Sequence, residues 1–275
     1  MPLSDQLGAR TPGEAASVVL HEHFSDRSVA ILRRDAPDEL IIGSGTCVEI
    51  GDRCFIATAG HNLDGAQLSN IELVLSGRKT SPEIEILAGK YRTLPDVGWL
   101  EVDLTFIREY GISPVPLTQL APLRDDESIR VPVMLQGYPG ARVKISPNSA
   151  NRPGVESTGL LTLVVPPSKR SSLAAGVDFS IEYPTWDGTT EEAPPPPGES
   201  GGGIWVPPKF KPNTIWEPGQ AKMVGLVESW VRRTNEVFCV RIEQWLDALA
   251  EDIPELAPEL KSFLAGASSV PQEDT

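Results

Sequence analysis

Cysteine, histidine and methionine each occur only three times in the 275 residues. Cys47, Cys54 and Cys239 are an odd number and form no C-x-x-C pair, which argues against a cysteine-built zinc site or a disulfide-stapled framework. If "VEIGDRCF" turns at Gly51-Asp52, Cys54 faces Glu49 across the hairpin rather than Cys47. Reduced thiols in a core are therefore expected. His21 and His23 have the i, i+2 spacing of ligands on a strand face. No cysteine or third histidine stands near them, so they are read as structural or exposed and no metal site is expected. Positive charge is also scarce, with 24 Lys and Arg against 38 Asp and Glu and a net charge of −14. The longest basic cluster, "SKRSS" at 168–172, is too short to hold a phosphate backbone, and no nucleic-acid partner is expected. No apolar run approaches the length of a membrane span. The opening "MPLSDQLGARTPGEAASVVLHEHF" lacks the basic start and long apolar stretch of a secretory signal, so a cytoplasmic protein without a membrane partner is expected. No fixed-period repeat is present, which argues against a solenoid or a propeller.

What is present is a core and many short strands. Apolar residues make up 40% and charged residues 23%, the balance of a globular protein with one large or two medium domains. Aromatics are sparse at 6%, but six are tryptophans, residues of cores and site walls. Short apolar runs at 27–34, 39–50, 53–60, 71–77, 83–89, 97–102 and 104–110, punctuated by Gly and Asp, read as the strands of one small barrel. After a Pro-rich and charged connector, "IRVPVMLQGYPG", "ARVKISP", "GLLTLVVPP", "VDFSIEYP", "GGIWVPP", "KMVGLVESW" and "EVFCVRI" read as a second set of about six. Only the end changes period. Ile242, Trp245, Leu246 and Leu249 stand at i, i+3, i+4 and i+7, an amphipathic helix, and a weaker one interrupted by Pro258 follows. The division expected is an extension at 1–26, a barrel at 27–115, a connector at 116–130 and a second barrel at 131–241. Helices at 242–266 and a disordered tail at 267–275 complete it. The fold class is all-β.

Three stretches carry chemistry. "APPPPGESGGGIWVPP" sets Ser200 among glycines, after prolines that stiffen the approach to the turn. "CFIATAGHNL" delivers His61 at the end of a β run, and "EVDLTFIRE" opens an apolar run with Asp103. A serine hydroxyl is a weak nucleophile until a base within hydrogen-bond reach takes its proton. Histidine suits that task because its pKa lies near neutral pH. A buried aspartate fixes the imidazole tautomer and stabilises the imidazolium. Backbone amides in a glycine turn, here those of Gly198 and Ser200, hold the developing oxyanion.

"GSGTCVEIGDRCFIATAGHN" (43–62), "DLTFI" (103–107), "QGYPG" (136–140), "GESGGGIW" (198–205) and "MVGLVESW" (223–230) together resemble the chymotrypsin/trypsin-like serine peptidases. The resemblance runs from about residue 27 to residue 250. A narrower likeness, to bacterial intracellular trypsin-like peptidases, rests on "FSIEYP" followed by "GESGGGIW". The family resemblance implies two antiparallel six-stranded β-barrels with a C-terminal helix and a triad in the order His61, Asp103, Ser200. It further implies a protein or peptide substrate and no cofactor. Asp96, in "LPDVGWLEV", competes for the acid role. The spacing from His61 and the strand-then-connector layout of the family favour Asp103.

The likeness also marks departures. Glu199 stands where extracellular relatives carry the Asp that receives a new N-terminus, and no activation site precedes the first strand. A solvent-facing or locally hydrogen-bonded carboxylate is expected there, against the alternative of a cationic partner that shapes the oxyanion turn. Pro194 falls at the pocket base, without an acidic group. Glu228, Ser229 and Trp230 fall on the substrate-binding wall. Glu191, Glu192 and Glu228 read as solvated loop charges, with Glu228 as a selector of basic side chains the sharper alternative. Trp205 and Trp230 read as packing residues. A catalytically inactive or latent module, switched on by an activating protein partner, is the competing function.

Overall fold

The computed structural model describes residues 12–36, 39–75, 84–123, 131–140, 155–169, 178–183, 196–208 and 217–269. The first sheet contains β1 (Ser28–Ala36), β2 (Glu39–Ile50), β3 (Arg53–Thr58), β4 (Ile71–Leu75), β5 (Ile86–Thr93) and β6 (Asp96–Val102). Their order is β4-β1-β2-β3-β6-β5, with antiparallel neighbours throughout. The two-residue strand β7 (Val115–Pro116) adds a short parallel contact to β2. Successive side chains on a strand face opposite sides, and β3 shows what that does here. Cys54 and Ile56 enter the first barrel's own core with Val29, Ile31 and Leu100. Phe55 and Ala57 enter a second core shared with Trp99, Trp205 and Trp245. The hairpin pairs Glu49 with Cys54 as expected, and all three cysteines are buried as thiols, none of them in a disulfide.

The second sheet contains β8 (Pro132–Gly137), β9 (Thr158–Leu163), β10 (Phe179–Glu182), β11 (Gly203–Val206), β12 (Lys222–Val231) and β13 (Glu236–Arg241). Its order is β10-β13-β12-β11-β8-β9. A bridge between Val164 and Ile181, and a bond from Val165 N–H to Ser180 O of 2.9 Å, join the two outer strands. Val133, Leu135, Phe179, Ile181 and Ile204 fill its interior. The run "ARVKISP" lies outside the described residues.

Helices close the ends. The C-terminal helix predicted from the 3.6 period spans Ile242–Asp252, with Ile242, Trp245, Leu246 and Leu249 buried. A last helix spans Ala257–Ser269, three residues into the stretch read as a disordered tail; the remainder lies outside the described residues. Asp252 anchors the first of these to the sheet. It accepts from Lys90 Nζ at 2.6 Å, Arg92 Nη2 at 2.7 Å and Trp99 Nε1 at 3.0 Å. Two other elements differ from expectation. Residues 12–25, which hold His21 and His23, form helix α1 (Pro12–Ser25) rather than a strand. Leu20 and Phe24 of α1 sit in the shared core, and Phe24 stacks on Trp205 with ring centroids 4.1 Å apart. Residues 104–109, read as a strand, form helix α2 (Leu104–Glu109). Asp103 caps it, and Phe106 meets Tyr110 one turn on, with centroids 4.5 Å apart. Such a cap and i, i+4 pair satisfy a short helix locally, against the β propensity of its Thr, Phe and Ile.

Candidate active site

Strand pairing assembles the base and its acid. After β3 ends at Thr58 the chain makes one tight turn, Gly60–Asn62. In β6, Gly98 pairs with Thr58, which sets the strand's first residue, Asp96, beside that turn. One Asp96 oxygen accepts the His61 backbone N–H at 2.8 Å, and the other lies 2.6 Å from His61 Nδ1. Gly60 allows this approach, because a Cβ there would fall 2.1 Å from the Arg92 carbonyl oxygen. From β1, Arg33 donates to the carbonyls of Asp64 at 2.9 Å and Asn62 at 3.3 Å, with His61 O at 3.5 Å. The imidazole is 48% exposed and the Asp96 side chain 14%, so one edge of His61 is open while its partner is shielded. The His61 pKa lies above 6.5, chiefly through the hydrogen bond to Asp96. Burial opposes that shift, the charges of Asp96 and Glu228 support it, and Arg33 opposes it.

This geometry corrects the expectation for Asp103. That side chain accepts the Phe106 N–H at 2.7 Å as the N-cap of α2. The whole of β6 separates it from Asp96, a span of about 20 Å at roughly 3.3 Å per residue. Asp103 is a helix cap, and Asp96 is the carboxylate that His61 meets.

The serine turn is tied to both barrels. Ser200 O accepts from Ser44 N–H and from Asn62 Nδ2, each at 2.8 Å. Asn62 adjoins His61, so these bonds hold the Ser200 backbone against the histidine turn. The Ser44 hydroxyl donates to Gly198 O at 2.7 Å and accepts the Tyr138 N–H at 2.8 Å. Gly201 N–H donates to Val227 O at 2.7 Å, and Val227 N–H returns to Gly202 O at 2.9 Å. Gly198 has φ +99°, a conformation that side-chain-bearing residues seldom adopt. Glu199 N–H turns back to Pro196 O at 2.8 Å, whereas the amides of Gly198 and Ser200 donate to no acceptor among the described residues. Glu199 itself is 1% exposed, which removes the solvent-facing reading. Its carboxylate accepts from the Thr158 hydroxyl at 3.0 Å. Ser44 and Asn62 were not singled out from the sequence; their work is done through main-chain contacts that a residue pattern does not display.

No protein-family model and no curated protein matches the sequence. Solved structures do. A thermostable serine protease, AL20, from an extremophilic microorganism superposes with TM-score 0.51 at 11% identity, covering 79% of this chain and 91% of its own. The active form of the Rv3671c protease from M. tuberculosis superposes with TM-score 0.49 at 16% identity, covering 84% and 82%. The fold is that of the chymotrypsin-like serine proteases.

Within this chymotrypsin-like fold, the three residues expected on the substrate wall follow one another on β12. The register against β13 slips between Val227 and Ser229, so Glu228 is the extra residue of a bulge, a device that re-aims a side chain. Glu228 is half-buried. Its carboxyl pKa is raised by burial and then by the charge of Asp96, and lowered by His61. It is therefore not the fully solvated charge of the simpler reading. Ser229 is half-buried beside it. Trp230 packs at the rim of the second sheet's interior, with its ring centroid 6.3 Å from that of Tyr183. Trp205 is wholly buried packing. Pro194, Glu191 and Glu192 lie outside the described residues. Among the described residues no group of three His, Cys, Asp or Glu is placed to hold a metal ion. No helix described is long and apolar enough to cross a membrane.

Proposed function

We propose that the chain is a serine endopeptidase that hydrolyses peptide bonds of protein or peptide substrates. The observation that carries this reading is the 2.6 Å contact of Asp96 with His61 Nδ1, on a turn bonded to the Ser200 backbone. With Nδ1–H donated to Asp96, the His61 Nε2 lone pair is left to accept the Ser200 hydroxyl proton. Ser200 Oγ attacks the carbonyl carbon, and the tetrahedral oxyanion is held by the amides of Gly198 and Ser200. The imidazolium returns its proton to the leaving amine, giving an acyl-enzyme. Water, deprotonated by the same histidine, then releases the acid and restores the serine.

Labelling with a fluorophosphonate, followed by peptide mapping, tests this. The expected adduct lies on Ser200 of the wild type and is absent from Ser200→Ala and His61→Ala. A folded wild type that takes no label overturns the reading in favour of a latent or inactive module. For specificity, the negative field of Glu228 favours a basic side chain beside the scissile bond, a trypsin-like preference. Matched Lys, Leu and Glu substrates should then be cleaved in that order. Equal rates for Lys and Leu sink it.

A further inference from the structure

We propose that the N-terminal helix α1 is a built-in positioning element for the oxyanion turn, and that it acts through the Thr158 hydroxyl. The proposal rests on the peptidase reading above and goes beyond it by assigning roles to α1 and Thr158. Helix α1 reaches the start of β9 on both sides of Thr158. Ser25 Oγ lies 2.9 Å from Ser157 Oγ. His21 closes on Gly159, where a Cβ would fall 2.9 Å from His21 Nδ1, and that same nitrogen is 3.0 Å from Gln136 Oε1. Gln136 pairs with Gly159 across β8 and β9, so one end of α1 grips both strands. The helix cannot slide freely, since Leu20 and Phe24 are 1% exposed in the shared core.

Successive side chains of an extended chain face opposite sides. With Ser157 and Gly159 turned to α1, Thr158 turns the other way, and there its hydroxyl meets Glu199 Oε1 at 3.0 Å. A buried carboxylate is held by its donors, because leaving it without them in a low-dielectric interior is costly. Glu199 lies between Gly198 and Ser200; its own N–H is tied to Pro196 O at 2.8 Å, and the peptide that follows it carries the Ser200 N–H, so the place of its side chain sets the plane of that amide. Gly137, the partner of Thr158 in β8, leaves room for this: a Cβ there would fall 3.3 Å from both Cα and Cβ of Glu199. The route is short: α1, the Ser157–Gly159 segment, Glu199, then the Ser200 amide. Thr158 touches no reacting atom. It is a positioning residue.

The test uses the full chain, with fluorophosphonate labelling rate, kcat and KM for a peptide substrate, and thermal midpoint measured on each variant. Thr158→Val, close in shape but without the hydroxyl, should lower kcat and labelling by about 10- to 100-fold, the scale of small misplacement at an active site. KM should change little, and Thr158→Ser should restore activity. Ser25→Ala should lower kcat in the same direction and have no further effect in the Thr158→Val background, the mark of a shared route. Labelling of Thr158→Val at the wild-type rate overturns the proposal. Failure of Thr158→Ser to rescue, with kcat following the thermal midpoint, overturns it as well. Additive losses in the double variant, or no loss in Ser25→Ala, overturn the part played by α1. A folded wild type that takes no label overturns the peptidase reading first, so the two failures are told apart.

Discussion

Asp96 and Asp103 flank one strand, carry the same carboxylate and adjoin the same apolar run, yet they do unrelated work. At the Asp96 end, β6 pairs with the last residues of β3, where the chain turns through Gly60–Asn62. The carboxylate there finds a backbone N–H and an imidazole from 35 residues upstream. At the Asp103 end the chain leaves the sheet for α2, and the nearest donor is an amide three residues on. What an aspartate does at a strand end is thus decided by what lies beside it. That is a matter of register between distant segments, which spacing along the chain does not carry.

The contrast is broken most directly by removing each charge in turn. Asp96→Asn should lower kcat by about 10³- to 10⁴-fold, because the amide stabilises the wrong imidazole tautomer and no imidazolium. Asp103→Asn should leave kcat near wild type. The pH profile adds a sign. Asp96 raises the His61 pKa above its ordinary 6.5, and the proposed mechanism needs neutral His61. Residual kcat/KM of Asp96→Asn should therefore fall off at lower pH than in the wild type. A large loss at Asp103 with none at Asp96 would return the acid role to Asp103.

A second pair of variants sharpens the Asp96 end. Glu228 raises the His61 pKa and Arg33 lowers it. Glu228→Gln should move the acid limb of kcat/KM to lower pH, and Arg33→Met should move it to higher pH. Arg33→Met should also lower the plateau, since it removes the donors to the carbonyls of the histidine turn. Shifts in one common direction would mean that the two charges do not act on His61 as the geometry implies.

Much of the molecule was legible in its residues. The run at 39–50 is β2 from end to end, because β-branched residues bounded by Gly-Asp leave few alternatives. The helix from Ile242 showed itself by a period that only a helix can bury. His61 drew attention as one of only three histidines, standing at a glycine-marked turn, and the structure sets that turn against the Ser200 backbone. Three features were not legible. Helix α2 is held by a cap and a Phe106–Tyr110 contact whose residues also suit a strand. Helix α1 gains its order from burial of Leu20 and Phe24 in a core built by both barrels. Buried Glu199 accepts from Thr158, 41 residues away, and no local pattern marks the pair.

The smallest effect belongs to the Asp103 end, and it separates a helix-capping carboxylate from one proposed to orient His61. Asp103→Ala removes the cap of α2, which costs about 1 kcal/mol for an N-cap and about 2–4 °C in a chain of this size. Asp103→Ser should keep most of that stability, because serine caps nearly as well as aspartate. In neither variant should kcat or the acid limb move, since the side chain's acceptor is the Phe106 amide and not the imidazole. Thermal midpoint and the pH–rate profile, measured on the same preparations, decide it. A carboxylate that orients His61 changes the profile, whereas one that caps a helix changes the midpoint.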